Sequence, residues 1–199
     1  MIEVEKKFIL TKDNEARLTE EAEFLKEYSF TDAYYDTGDY ALTSQDVWLR
    51  ARDGKWELKT PLHKGAERLG DQYRELTDEK EIREYLKIPP KKTLAQDLKD
   101  AGYKPFCVFK TVRRKYKNTP FVIDLDAVDF GDFSYALGEI ELLIEDSGDM
   151  NEAMEKIMEF GRKNGLGITH VRGKVIEYLK RVKPEHYWAL VKANVVKDF

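Results

Sequence analysis

Residues 2–9 have the sequence IEVEKKFI and alternate between charged and apolar side chains. In a β-strand, side chains at positions i, i+2 and i+4 lie on one face. Glu3, Glu5 and Lys7 therefore share a face, and Ile2 and Val4 lie on the other. This alternation predicts a strand with one charged and one apolar face, and related patterns recur along the chain.

Five further segments carry charged or polar aromatic side chains two positions apart. They are Trp48, Arg50 and Arg52; Glu57 and Lys59; Tyr73 and Glu75; Asp124 and Asp126; and Glu139 and Glu141. For one strand, the simplest interpretation is the solvated outer face of an ordinary antiparallel sheet. Four of these six faces, however, are of one sign or nearly so, and like charges on neighbouring positions repel each other. Such repetition favours the binding of a charged ligand.

The remaining periodicity and turn residues predict an α+β order of elements. We predict strands at 2–9, 27–36, 46–52, 55–60, 72–77, 104–116, 121–128 and 134–145. We predict helices at 13–26, with Thr11 or Asp13 as N-cap, and at 78–86, 92–101, 150–163, 171–182 and 185–193. Asp53-Gly54 and residues 117–120 predict two hairpin turns.

About eight antiparallel strands can close into a barrel with room for one small ligand. If the charged faces point inward, the apolar faces point outward and need a cover, which the predicted helices supply. We therefore expect a single domain over residues 1–199, built as a closed eight-stranded antiparallel β-barrel with a charged lumen and surrounding helices. The helices from about residue 150 to residue 199 are expected to pack on the barrel.

The composition disfavours several classes of function. The 199 residues include 34 basic and 38 acidic ones, a formal net charge of −4, whereas nucleic-acid-binding proteins usually carry a basic excess. No apolar run approaches the roughly 20 residues of a membrane span, and the N-terminus lacks the apolar core of a signal peptide. The single cysteine, Cys107, excludes an internal disulfide, and the three histidines are too far apart for a zinc motif. We expect a cytoplasmic monomer whose partners include neither nucleic acid nor membrane.

The presence of both acidic and basic clusters restricts the classes of ligand that such a site could bind. Clustered carboxylates favour a hard divalent cation such as Mg²⁺ or Mn²⁺, and clustered Arg and Lys favour a polyanion. A shared interior would then hold a metal ion and a polyphosphate, as phosphoryl transfer requires, because that reaction depends mostly on positioning and charge neutralisation. Each carboxylate has the alternative of a plain salt bridge to an interior Arg or Lys, and Trp48 has that of core packing.

The order of these motifs resembles the CYTH, or triphosphate tunnel metalloenzyme, superfamily, and within it the animal soluble thiamine-triphosphatase branch. The resemblance begins with E-x-E-x-K at Glu3, Glu5 and Lys7 and covers essentially the whole chain. Its other elements are YYDT at 34–37, WLRAR at 48–52, WELK at 56–59, YREL at 73–76, Arg113, DLD at 124–126, DFG at 129–131, GEIE at 138–141, and Lys174.

The resemblance implies Mg²⁺-dependent hydrolysis of the terminal phosphate of a small-molecule triphosphate inside an eight-stranded tunnel. It assigns metal binding to Glu3, Glu5, Asp124, Glu139 and Glu141. It assigns triphosphate binding to Lys7, Arg50, Arg52, Lys59, Arg113 and Lys174, and places Trp48 beside the thiamine moiety. Glu75 and Asp126 match further acidic tunnel positions, and Tyr34 with Lys59 matches a pair that activates water.

Three alternatives stay open at this point. Lys59 acts either as a neutral base, if other cations crowd it, or as a plain phosphate clamp. Thiamine triphosphate and inorganic tripolyphosphate use the same phosphate apparatus, whereas a nucleoside triphosphatase or adenylate cyclase would need an adenine pocket for which no motif is present. A non-catalytic polyphosphate-binding module is disfavoured because so many carboxylates weaken anion binding.

Overall fold

A computed structural model describes residues 2–62, 65, 71–145, 148–167 and 170–198. Its strands are β1 (Ile2–Ile9), β2 (Glu23–Asp36), β3 (Trp48–Arg52), β4 (Lys55–Pro61), β5 (Asp71–Leu76), β6 (Lys104–Asn118), β7 (Phe121–Asp129) and β8 (Ser134–Ile144). Its helices are α1 (Lys12–Glu20), α2 (Glu79–Leu86), α3 (Leu94–Asp100), α4 (Met150–Lys163), α5 (Lys174–Val182) and α6 (Pro184–Lys192), with a 3₁₀ turn at Thr43–Gln45. Residues 63, 64 and 66–70, including His63, lie outside the described residues.

The strands form one closed antiparallel barrel in the order β1-β5-β4-β3-β2-β6-β7-β8. The predicted fold class is therefore confirmed. Among the described residues, no helix is long and apolar enough to cross a bilayer.

The outer face of the barrel is apolar and is covered by helices, as the strand patterns predict. Ile2 and Val4 of β1 are buried in one cluster with Met154 and Ile157 of α4. The apolar face of the barrel points outward, toward the helices, and burial of its side chains stabilises the packing of helix on barrel. The consequence is that alternate residues, which are charged, point into the interior.

Two further apolar clusters complete the cover. One joins Leu49 of β3 and Leu58 of β4 to Ile82 and Leu98 of α2 and α3. The other joins β6 and β7 to the two C-terminal helices, through Leu179 of α5 among others. The helices thus pack on different sides of the barrel and leave its interior to the polar residues.

The predicted helix at 13–26 is wrong over its second half. α1 ends at Glu20 and is capped by Thr11, whose hydroxyl accepts a hydrogen bond from the Asn14 amide, while Asp13 lies within the helix. β2 begins at Glu23 and pairs with β6, with Glu23 opposite Lys117. Pairing with a distant strand therefore overrides the local helical pattern.

Two smaller corrections affect the site. The strand predicted from Asp46 begins at Trp48, because Asp46 has a left-handed backbone with φ of 60°. The helix predicted from residue 171 begins at Lys174 after Gly173, and the Lys174 side chain reaches the barrel interior from this first position. Asp53 and Gly54 both have positive φ, which confirms the predicted two-residue hairpin between β3 and β4.

Candidate active site in the barrel interior

The barrel encloses a cavity of about 330 Å³. Its charged lining comes from β1, β3, β4, β5, β6, β8 and the start of α5, and comprises Glu3, Glu5, Lys7, Arg50, Arg52, Glu57, Lys59, Glu75, Arg113, Lys115, Glu139, Glu141 and Lys174, with Asp46 just before β3. All six cations predicted to bind triphosphate lie in this set. Both signs of charge therefore face one shared interior.

Each predicted cation is held by carboxylates. Lys7 pairs with Glu5; Arg50 with Glu57 and Glu75; Arg52 with Asp32; Lys59 with Glu3 and Glu75; Lys174 with Asp126 and Glu139. Such pairs compensate the cost of burying either charge alone. They also fix the side chains in the interior before any ligand binds.

Arg113 of β6 has the densest set of partners. Its Nε and Nη2 donate to the two carboxylate oxygens of Asp126 at 2.7 Å, and Nη2 also donates to Glu139 Oε2 at 2.7 Å. Its Nη1 donates to Asp124. Asp124 and Asp126 are fully buried and contact Arg113 without lining the cavity themselves. The structure therefore brings the predicted β7 acids to the site through this arginine.

Two groups of carboxylates lie close enough to share a metal ion. Glu3, Glu5 and Glu141 form one group, and Asp124, Glu139 and Glu141 form the other; in each, one oxygen per residue lies within 4.8 Å of the others. Oxygen ligands of this kind suit hard divalent cations. Because Glu141 belongs to both groups, all five predicted metal ligands lie around it.

The charge balance at Glu141 also fits a cation. Burial raises the pKa of Glu141 well above its ordinary value, and the negative charges of Asp124 and Glu3 raise it further. Asp124 Oδ1 is buried and accepts no well-aligned hydrogen bond, although Lys115 Nζ lies 2.9 Å away. A bound divalent cation would relieve the mutual repulsion of these carboxylates.

The pKa values of Glu139 and Glu5 shift in opposite directions, although both side chains are buried. Burial would raise the pKa of Glu139, but Lys174 and Arg113 outweigh it and hold that pKa below the ordinary range. Burial dominates at Glu5 and raises its pKa despite the adjacent Lys7. The interior therefore holds one carboxylate that its cations keep easily ionised beside another whose ionisation burial disfavours.

Lys59 lies between acids, not among crowding cations. Its Nζ is 2.7 Å from Glu75 Oε1 and 3.2 Å from Glu3 Oε2. Burial would lower the pKa of Lys59, but the charges of Glu3, Glu5 and Glu75 raise it above its ordinary value. Tyr34, its predicted catalytic partner, also lines the cavity, and its hydroxyl accepts a hydrogen bond of 3.4 Å from Arg50. In this arrangement Lys59 carries a proton.

Trp48 lines the cavity and is 8% exposed. Its indole Nε1 donates to Asp46 Oδ1 at 2.8 Å, and the Tyr73 hydroxyl donates to the same oxygen at 2.8 Å. Tyr34 packs edge-on against Trp48 with ring centroids 6.4 Å apart. These contacts hold an aromatic surface at the cavity wall, beside the cations.

Sequence reasoning assigned no role in the site to three charged cavity residues. Glu57 was placed on a charged strand face with Lys59 but given no role, and Lys115 lies two positions from Arg113, so strand alternation could have found it. Alternation over the predicted strand 46–52 would also have indicated Asp46, on the face of Trp48 and Arg50, although the structure places Asp46 outside the strand in a left-handed conformation.

Comparison with known proteins agrees with this geometry. The CYTH domain family model matches residues 1–170. Human thiamine-triphosphatase is 34% identical over 216 residues, covering 100% of this chain and 93% of the human protein, and the Macaca fascicularis thiamine-triphosphatase matches at the same identity and coverage.

The fold is similar to that of solved structures at lower identity. A protein from Pyrococcus horikoshii OT3 superimposes with a TM-score of 0.67 at 21% identity, covering 90% of this chain and 99% of the other. The family model matches most of the chain, and two thiamine-triphosphatases are similar to it over its full length. The chain therefore belongs to the CYTH domain family and is a phosphohydrolase.

Proposed function

We propose that the protein hydrolyses thiamine triphosphate to thiamine diphosphate and phosphate, with Mg²⁺ as its metal. The observation that carries this proposal is the pairing of cations with clustered carboxylates inside one closed barrel. The relatives that are thiamine-triphosphatases support the choice of substrate.

The paired charges explain why metal and triphosphate would bind together. A triphosphate would attract the guanidinium and ammonium groups that now hold carboxylates, such as Arg50 on Glu57 and Lys174 on Asp126. That exchange leaves buried carboxylates uncompensated, which is costly unless a divalent cation neutralises them. We therefore propose that each ligand strengthens the binding of the other.

The proposed metal ligands are the five carboxylates of the two groups that share Glu141, namely Glu3, Glu5, Asp124, Glu139 and Glu141 itself. When bound there, Mg²⁺ (or Mn²⁺) supplies positive charge that neutralises non-bridging phosphate oxygens. Arg50, Arg52 and Arg113 can each present a planar fork to phosphate oxygens, and the lysines supply point charges. Glu75 holds Lys59 in place and Asp126 holds Arg113, in each case through an ion pair.

In the proposed reaction, a water oxygen attacks the terminal phosphorus, and the bond from that phosphorus to the bridging oxygen breaks. Thiamine diphosphate leaves with the bridging oxygen, and the water proton is released. Lys59 is proposed to bind phosphate as a protonated clamp, because Glu3 and Glu5 keep its pKa high. Tyr34, hydrogen-bonded to Arg50, is proposed to orient the attacking water.

Trp48 is proposed as the platform for the organic end of the substrate. Aromatic faces attract cations and stack on heterocycles, and thiamine carries a thiazolium cation and a pyrimidine. Trp48 lies on the same strand as Arg50 and Arg52, so one ligand can contact the platform and the phosphate-binding cations together. Inorganic tripolyphosphate is the competing substrate, since it needs only the cations.

The proposal is tested by phosphate release from thiamine triphosphate, inorganic triphosphate and ATP, each with Mg²⁺, Mn²⁺ or a chelator. We expect the highest kcat/KM on thiamine triphosphate with Mg²⁺ and no turnover with the chelator. A preference for inorganic triphosphate would overturn the substrate assignment. Turnover that persists in chelator would overturn the metal assignment, and no turnover on any substrate would overturn the proposal as a whole.

A further inference from the structure

Phe30 of β2 is a large apolar side chain that is buried beside the charged interior. It is 3% exposed, and within the described part of the chain it belongs to none of the three apolar clusters that join the barrel to its helices. Asp32 shares its strand face and is fully buried in an ion pair with Arg52. A phenyl ring among charged side chains invites a search for what it contacts.

Two guanidinium groups lie over this ring. The Cζ atom of Arg52 is 4.0 Å from the ring centroid of Phe30, and the Cζ atom of Arg113 is 5.6 Å from it. Both distances are within the roughly 6 Å over which an aromatic face attracts a cation. Arg52 is on β3 and Arg113 on β6, the two strands that flank β2 in the barrel. The ring thus links two cations that neighbouring strands bring to the cavity.

The ring holds these arginines in a different way from the carboxylates. Asp32 accepts hydrogen bonds from Nε and Nη2 of Arg52, and Asp126 accepts from the same two atoms of Arg113. These carboxylates occupy donors in the guanidinium plane, for which a phosphate group competes. An aromatic ring attracts the face of the guanidinium and occupies none of its donors. Phe30 can therefore keep both arginines in place while they bind phosphate.

The ring also offsets the repulsion between the two arginines. Two cations near one point repel each other, and the repulsion grows when the carboxylates that neutralise them are bound by a metal ion. Asp124 and Glu139 pair with Arg113 and are also proposed metal ligands. The ring carries no net charge to lose, so its attraction for both cations persists when the ligands bind.

We propose that Phe30 is a positioning residue, which holds the guanidinium groups of Arg52 and Arg113 so that both bind phosphate oxygens of one triphosphate. The inference rests on the proposed function, because it takes the same cavity as the triphosphate site. Phe30 itself is not among the described residues that line the cavity, so it acts through the two arginines.

Fluorination of the ring separates its attraction for cations from its packing. Mono-, di- and trifluorinated phenylalanine at residue 30 nearly preserve the shape of the side chain, while each fluorine withdraws electron density and weakens cation binding to the ring face. The same replacements at Phe121 are the matched control, because that ring is buried in an apolar cluster, with its centroid 4.6 Å from that of Phe160 in α4. Thermal unfolding of each protein checks that it retains the fold.

The first measurement does not require turnover. Calorimetry with Mg²⁺ gives the Kd of the diimido analogue of inorganic triphosphate, in which N–H groups replace the bridging oxygens and prevent hydrolysis. We expect the affinity to fall with each fluorine at residue 30, to about tenfold below wild type for the trifluorinated ring, a loss within the range of cation–π contacts. Fluorination of Phe121 should leave the affinity unchanged.

Two results of this measurement would overturn the inference. Equal affinities along the series at residue 30 would show that the ring acts by packing alone, whether or not the protein hydrolyses any triphosphate. Absence of binding by the wild-type protein would overturn the inference together with the proposed site.

The second measurement is steady-state kinetics of the same series. Because the arginines bind the phosphates in the ground state and in the transition state alike, we expect KM to rise and kcat to stay nearly constant. The rise should be the same for thiamine triphosphate and inorganic triphosphate, since Phe30 acts on the phosphate end of the substrate. Normal turnover with a KM that does not change along the series would overturn the role of Phe30 and leave the triphosphatase function intact.

Discussion

The ammonium group of Lys59 in β4 lies 3.2 Å from Oε2 of Glu3 in β1, although β5 separates these strands in the barrel. The contact passes over β5 on the inner surface and joins a proposed phosphate-binding cation to a proposed metal ligand. Burial lowers the pKa of Lys59, but the charges of Glu3, Glu5 and Glu75 raise it above its ordinary value, so the side chain is a cation in the ligand-free site.

A pair of substitutions at Lys59 separates the clamp from the base. Arg keeps the positive charge but cannot give up its proton, whereas Ala loses both functions. We expect Lys59→Arg to retain kcat/KM within about tenfold, and Lys59→Ala to lose about 100-fold or more, the usual size of a lost electrostatic contact to a reacting group. Steady-state kinetics on thiamine triphosphate provide the measurement. Equal inactivity of the two variants would favour the neutral base.

Removal of the carboxylate shared by both acidic groups should separate activity from stability. Glu141→Gln replaces a carboxyl group whose pKa is raised by burial and by the charges of Asp124 and Glu3. Because the fold disfavours the charged form of this group, we expect an unchanged or higher melting temperature. We expect kcat/KM to fall at least about 100-fold, since even loss of groups that only support a metal ligand costs about 10- to 100-fold. Glu145→Gln, at an exposed position just after β8, is the control. Wild-type activity of Glu141→Gln at low Mg²⁺ would exclude Glu141 as a ligand.

Strand alternation predicted the barrel well because inward charges and outward apolar residues leave a strong period of two. β1 has the predicted bounds, and β7 differs by one residue at its end. The helix at 13–26 failed because residues 21–26 have no such period, and the pairing of Glu23 with Lys117 joins positions distant in sequence. Contacts of this kind are set by the barrel as a whole.

The predicted candidate site was recovered most fully where residues lie on strands. Lys174 was included only through family resemblance, since nothing in a helix pattern indicates that its first residue enters a barrel. Asp46 was assigned no role in the site, and its observed position is set by a turn with φ of 60° and by hydrogen bonds from Trp48 and Tyr73, not by the predicted strand. Tertiary structure, not local periodicity, places such residues.

Loss of the aromatic platform should affect one substrate only. Trp48→Ala removes a ring that lines the cavity while leaving the phosphate-binding cations in place. We expect about a tenfold loss of kcat/KM on thiamine triphosphate, the upper range of a cation–π contact, and little change on inorganic triphosphate. Trp188→Ala is the matched control, because Trp188 is 53% exposed on α6. Equal losses on both substrates would indicate that Trp48 is a packing residue.

A glycine beside the site should tolerate no side chain. Gly138 lies opposite Phe8 in the β1–β8 pairing, and a Cβ at Gly138 would lie 2.0 Å from Phe8 Cζ. We expect Gly138→Ala to lower the free energy of unfolding by about 1–3 kcal/mol through overpacking, and Phe8→Leu to recover part of that loss in the double variant. Gly161→Ala is the control, because its Cβ would meet Leu166 at 3.6 Å, an ordinary contact, inside α4. Chemical denaturation gives the values for Gly138→Ala, Phe8→Leu, the double variant and the control, and additive losses in the double variant would contradict the clash.

His186 connects α6 to the turn before β3. It is 2% exposed, and its Nε2 lies 2.8 Å from the Thr43 hydroxyl, which donates to Asp36 Oδ2 at 2.6 Å. The hydroxyl proton is thus directed to the carboxylate, so the hydroxyl oxygen accepts from a neutral imidazole with its proton on Nε2. Tyr40 stacks on the ring with centroids 3.9 Å apart. A neutral imidazole satisfies this chain of contacts, and the burial of the ring disfavours its charged form.

The burial of His186 should make stability depend on pH in the mildly acidic range. Burial lowers the pKa of His186 from 6.5 to about 4. Between these values the unfolded chain binds a proton that the folded chain does not, so the free energy of unfolding falls as pH falls from about 6.5 to 4 and then levels. The full loss is about 3 kcal/mol at about 1.4 kcal/mol per pH unit. His186→Gln has no such proton to bind, so in urea denaturation at pH 7, 5.5 and 4.5 we expect the difference between wild type and variant to shrink with falling pH. The carboxylates titrate equally in both proteins. Parallel plots of the free energy of unfolding against pH would therefore show that protonation of His186 does not destabilise the fold.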